Sequence, residues 1–248
     1  MKNIFLITIC FLLSFGKSTA QNDGAAAAAA GILAIGTAIA SVENYKEQLE
    51  LTATEWFLKE HDEVENFQLR TLDLQGKKLK DMSATSVITF KIQELLPERL
   101  PKKVFAPTQR ELNQALRKKW VLLAFTSPGW INDYGVNISR LKWILVDQEE
   151  WLNMMVTYVM AASGETSTEE VRQNIVNGKI VNKGVKNDGL AIPFYSIGND
   201  MYLSADYNED MKFVYNERSL GIYLKSTQDL VQMSRNVVID IHNFFYND

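Results

Sequence analysis

Residues 24–42, GAAAAAAGILAIGTAIASV, carry no charge and are built mostly of alanine and glycine, with Ile32, Leu33, Ile35, Ile39 and Val42 as the larger side chains. As a helix this stretch would run about 28 Å, close to the thickness of a bilayer core. Its composition pulls the other way. Alanine removes little apolar area from water, and such burial is worth roughly 25 cal/mol per Å². Small side chains have a different use, which is to let two backbones come close. Ala27 and Gly31 stand four apart, as do Gly36 and Ala40, so each pair falls on one helix face. The stretch is expected to be a helix packed against a core or a partner. Two other forms stay open to it, a weakly inserted membrane helix and a flexible low-complexity leader.

What precedes it reads as an export signal. Lys2 supplies a positive start, 4–15 is an uncharged apolar run, and Ser18-x-Ala20 meets the small-x-small rule for cleavage before Gln21. Cys10 is the only cysteine, and Ile9 stands where lipidation would want a small residue. A mature chain of about 228 residues would then have no disulfide and would hold its fold by core packing. That places it more naturally in a bacterial envelope than in a eukaryotic secretory route. Losing Lys2 and Lys17 takes the net charge from −4 to about −6, which offers no footprint for nucleic acid.

Helical spacing of Val42, Tyr45, Leu49, Trp56 and Leu58 carries the N-terminal helix on to about Asn66. Strands are expected at 67–74 and 85–92, with a loop punctuated by Pro97, Pro101 and Pro107. Thr108-x-x-Glu111 and Ser167-x-x-Glu170 are capping boxes, in which side chains satisfy the free amides of a helix start. Between them lie buried-strand candidates at 120–126 and 141–146 and a helix at 148–162 that is apolar on nearly every side. Residues 179–189 read as a loop. Hairpins are expected at 191–205 and 211–224, and a last helix starting at Ser226-x-x-Asp229. Leu230, Met233, Val237, Ile241 and Phe244 form its apolar stripe.

No nucleophile elbow, phosphate loop, dinucleotide fingerprint or zinc-protease motif occurs, and no residue is assigned a catalytic role. His61 and Glu65 would share a helix face and could hold a metal loosely, although an acidic solvated surface explains them as well. His242 reads as structural. Ser139-x-x-Lys142 has the spacing of a Ser-Lys hydrolase, but Lys142 falls in an expected strand, where that spacing does not bring the pair together. Asp206, Asn208 and Asp210 alternate as calcium ligands do, with Glu217 at the twelfth position. Met211 takes the place where such a loop wants glycine. Trp130 and Tyr134 sit in a polar loop after Pro128-Gly129 and are candidate contacts for a partner, peptide or glycan.

The expectation is an α+β chain with a long N-terminal helix, antiparallel strand hairpins, and a C-terminal amphipathic helix packed on the sheet. Residues 1–20 are the signal, 21–66 the N-terminal helix, and 67–248 the α+β domain, with a soft boundary near 97–107. The expected role is an exported, non-catalytic cell-envelope protein, periplasmic or outer-membrane associated. It would meet a membrane or periplasmic partner through Ala27, Gly31, Gly36 and Ala40. The alternative is an exported ligand-binding protein or hydrolase in which two of Asp147, Asp206, Asp210 and Glu217 converge in a cleft. No nucleic acid partner and no cofactor beyond a structural calcium is expected.

Overall fold

The computed structural model describes residues 38–72, 86–100, 107–132, 135–163, 165–181, 184–187, 190–192, 203–215 and 219–247. Val42–Asp248 forms one compact unit; Met1–Ser41 is a second, described only from Ala38 on. Five helices and mainly antiparallel sheets make the class α+β among the described residues.

The first sheet has strand order β1-β2-β3-β6, with β1 Phe67–Thr71, β2 Val87–Leu95, β3 Leu116–Thr126 and β6 Leu141–Asp147; between β3 and β6 the short β4 Ile131–Asn132 and β5 Gly135–Val136 pair with each other. Its central strands are buried on both faces, which is why β3 is apolar without interruption from Trp120 to Phe125. Trp120, Leu122 and Ala124 join one core; Val121, Leu123 and Phe125 join the other. The first core is closed by α1, Ala38–Glu60. Leu49, Ala53 and Phe57 fall four apart on α1 and are fully buried beside Ile88, Phe90 and Ile92. Each such Leu or Phe contributes about 1.5–3 kcal/mol by leaving water. Trp56 stacks on Trp143 of β6 at 5.6 Å.

α1 stops at Glu60, six residues short of the expected end. The segment expected as a soft boundary connects two strands of one sheet: β2 and β3 flank it and pair from Val87↔Phe125 onward. Between them, Thr108 and Glu111 form the full capping box of α2, Gln109–Ala115. At Leu116 the chain turns extended and enters β3.

The second core lies between the first sheet and a meander, β10 Leu203–Asp206, β11 Met211–Tyr215, β12 Ser219–Leu224 and β13 Asp229–Ser234. Three helices contribute to it: α3 Gln148–Ser163, α4 Thr168–Asn177 and α5 Arg235–Tyr246. Phe213, Ile222 and Val231 stand in register across the meander and are all buried in this core. Ser167 caps α4, accepting from the Glu170 amide at 3.3 Å.

Two expectations are corrected here. Residues 179–189 are not a loop throughout: β7 Lys179–Val181 and β8 Gly184–Asn187 pair antiparallel, and β9 Leu190–Ile192 joins them. The last helix does not begin at Ser226. Residues 229–234 are a strand, with Val231 and Met233 buried and Leu230, Gln232 and Ser234 exposed, a two-residue alternation. Gln228, at φ 60°, closes the turn before it. The helix is capped eight residues later than expected, with Ser234 accepting from the Val237 amide.

Candidate functional site

The expected contact residues divide sharply. Ala27, Gly31, Gly36 and Tyr134 lie outside the described residues. Ala40 belongs to the first turn of α1, which therefore carries the end of the small-residue stretch in continuous helix with the segment docked on the first sheet. The outer side of α1 leaves Leu51 64% and Leu58 45% exposed, two turns apart on one face.

Trp130 is corrected. It is 0% exposed and belongs to the core beneath α1, so it is not a surface contact. Its polar neighbours in sequence hid that: Gly129, at φ 82°, turns the chain inward just before it. The Trp130 amide then donates to the Ser127 carbonyl at 3.1 Å, and its own carbonyl accepts from the Asn137 amide at 2.7 Å.

The alternating acids at 206–210 are occupied within the chain. Asp206 Oδ1 accepts from Lys225 Nζ at 2.8 Å, and its Oδ2 lies 3.6 Å from Lys212 Nζ. These lysines, Lys225 first, hold the Asp206 carboxyl below its ordinary pKa. Asn208 Oδ1 accepts from the amides of Asp210 and Met211 at 2.9 and 2.8 Å, the geometry of an Asx turn. Asp210 Oδ1 accepts from Lys142 Nζ at 2.9 Å. A calcium ion would have to displace three ammonium groups. Glu217 lies outside the described residues. Among the described residues no group of three or more His, Cys, Asp or Glu side chains is placed to hold a metal ion.

The other motifs come apart in the same way. His61 lies beyond the end of α1, and its Nδ1 pairs with Glu63 at 3.2 Å rather than with Glu65. Ser139 Oγ donates to Asn137 Oδ1 at 2.7 Å, in a 3-10 turn, while Lys142 reaches across to Asp210 and Ser226. His242 is fully buried with both ring nitrogens unbonded, beside the Tyr246 ring at 4.7 Å.

Two open hollows of about 460 and 550 Å³ share Lys118, Asp147 and Glu149, where β6 runs into α3. Sequence spacing gave no sign of this grouping, because Lys118 and Asp147 meet only through strand pairing. Its carboxylates are each committed. Asp147 Oδ1 caps α3 through the Glu150 amide at 2.9 Å, and its Oδ2 lies 3.8 Å from Lys118. Glu149 pairs with Arg172, and Glu150 accepts from the Tyr207 hydroxyl at 2.6 Å. Burial, reinforced by Glu150, pushes that phenol well above its usual range. The arrangement braces α3 against its neighbours.

The chain matches no protein-family model, no curated protein and no solved structure.

Proposed function

We propose that this is an exported, non-catalytic cell-envelope protein that assembles with a membrane or periplasmic partner through its N-terminal helix. One observation carries the reading. The last residues of the small-residue stretch, from Ala38, begin the same helix whose later turns close a core. The export signature of residues 1–20 supports the location. The commitment of the acidic groups around Asp147 and Asp206 to internal ion pairs and caps favours an assembly role over carboxylate chemistry.

Deletion of residues 24–42 tests it. Membrane or periplasmic fractionation should change, and proteins recovered with the tagged chain should be lost, while the far-UV circular dichroism of the remainder is kept. Unchanged fractionation and unchanged co-purifying proteins would overturn the reading.

A further inference from the structure

β6 is an edge strand of the first sheet. Strand direction follows from two bonds: the Thr126 amide donates to Ser86 beside β2, and the Ser127 amide to Arg140, at the start of β6. Backbone groups alternate along a strand, so Lys142, Ile144 and Val146 face β3, and Leu141, Trp143, Leu145 and Asp147 point away from the sheet. Among the described residues no strand lies beyond β6. The edge is seven residues long and apolar between Lys142 and Asp147, with Trp143, Ile144 and Leu145 only half-buried. Natural sheets usually blunt such an edge with charge, proline or a bulge. The opposite edge, β1, is shorter and its last outward amide is taken by a side chain of α1.

We propose that β6 pairs with β6 of a second copy of this chain, antiparallel about Ile144, so that two four-stranded sheets become one of eight strands. The choice of partner rests on self-complementarity. Centred on Ile144, the pairing sets Leu141 opposite the second copy's Asp147 and Trp143 opposite its Leu145. Because the Leu141 amide already donates to the Ile138 carbonyl, the pairing forms about six backbone bonds. Centring on Trp143 would leave Asp147 unpaired, and centring on Leu145 would set Trp143 opposite Asp147 in place of Leu145. At the centre of the pairing the side chains match: Trp143 meets Leu145 on the α1 side, and Ile144 meets its twin on the other, the kind of apolar cross-strand pairs that stabilise a ladder. Residues 24–42 take no part, so this pairing and the envelope assembly stand or fall separately.

A full-length chain carrying Cys10→Ser and Ile144→Cys has one thiol, set opposite its twin at a Cα separation of about 4.5 Å, within disulfide reach. Mild oxidation should convert most of it to a covalent dimer, while Cys10→Ser with Lys142→Cys, whose twin lies several residues away along the strand, stays single. Light scattering on the unmodified protein should give the mass of two chains. Leu145→Pro removes an outward amide and no bond to β3, and should reduce the mass to one chain with circular dichroism kept; Leu145→Lys serves if the proline variant unfolds. A single-chain mass for the unmodified protein at its highest soluble concentration overturns the proposal. So does a dimer that neither cross-links at position 144 nor responds to change at position 145.

Discussion

Glu50 Oε1 accepts two hydrogen bonds from Thr71, one from the backbone amide at 2.8 Å and one from the hydroxyl at 2.9 Å. The contact spans 21 residues of sequence and pins the middle of α1 to the free edge of β1. Glu50 is only 17% exposed in its side chain, with Arg70 Nη1 at 3.7 Å from the other oxygen. A charged acceptor thus closes an edge amide that would otherwise have only water.

Glu50→Ala should therefore destabilise the fold by about 1–3 kcal/mol, the cost of leaving partly buried donors without a partner. Glu50→Gln keeps an acceptor oxygen and should recover part of the loss. Urea denaturation of the three proteins, compared at equal slope, measures both steps. Equal midpoints for Glu50→Ala and the unmodified chain would remove the contact from the account of how α1 is held.

Gly221 makes an opposite-signed test of strand propensity. An alanine in a strand ordinarily helps, since glycine weakens a strand. Here a Cβ at residue 221 would meet the Val214 carbonyl oxygen at 2.6 Å and Val214 Cβ at 3.1 Å. The oxygen belongs to the neighbouring strand and has little room to move. Gly221→Ala should cost about 1–3 kcal/mol, as overpacking does, and lower the melting temperature by several degrees. A rise in melting temperature would mean that β11 and β12 lie farther apart than described.

The parts of this fold that were legible in the sequence are those where one period runs unbroken. The continuous apolar run of β3 and the Thr108 and Ser167 caps appear where their patterns placed them, whereas on α1 the expected stripe holds at Leu49 but Leu58 faces outward, and Ala53 and Phe57 take the buried face. The stretch 226–245 misled because Leu230, Met233, Val237, Ile241 and Phe244 keep helical spacing across a junction between a strand and a helix. Only the alternation of Val231 and Met233 marks the change. The site was less legible for a different reason. Nothing near Asp206 in sequence announces Lys225, and nothing near Asp210 announces Lys142, 68 residues away. Ion pairs between strands decide whether alternating acids are a metal loop or a braced turn, and local spacing carries no information about them.

Trp130 separates a core role from a contact role. It is buried with its indole nitrogen unbonded, and it shares a core with Leu49, Phe57 and Leu141. Trp130→Ala should cost about 3–5 kcal/mol, while Trp130→Phe, which keeps a ring in the space, should cost markedly less. Partner recovery by the Phe variant should match that of the unmodified chain. Loss of recovery with unchanged stability would return Trp130 to the surface role that its polar neighbours suggest.

His242 gives the fold an acid limb of its own. Burial depresses its pKa from 6.5 to about 4, with the nearby Gly178 backbone pulling it part of the way back. In the unfolded chain the imidazole titrates near 6.5, so between about pH 6.5 and pH 4 the unfolded state binds the extra proton. Stability from the neutral, buried ring is full above that window and falls as the pH drops through it, by about 3 kcal/mol over the whole range. The carboxyls of Glu63, Glu111 and Asp206 are held below their ordinary values, so their contributions are lost only at lower pH, through and below the usual carboxylate range. Urea midpoints measured from pH 7.5 to pH 4.5 should therefore decline in the unmodified chain. In His242→Phe, which keeps an aromatic ring beside Tyr246 and removes two unbonded nitrogens, they should stay nearly flat down to the carboxylate range. A parallel decline in both proteins would assign the acid limb to other groups and leave His242 as ordinary core.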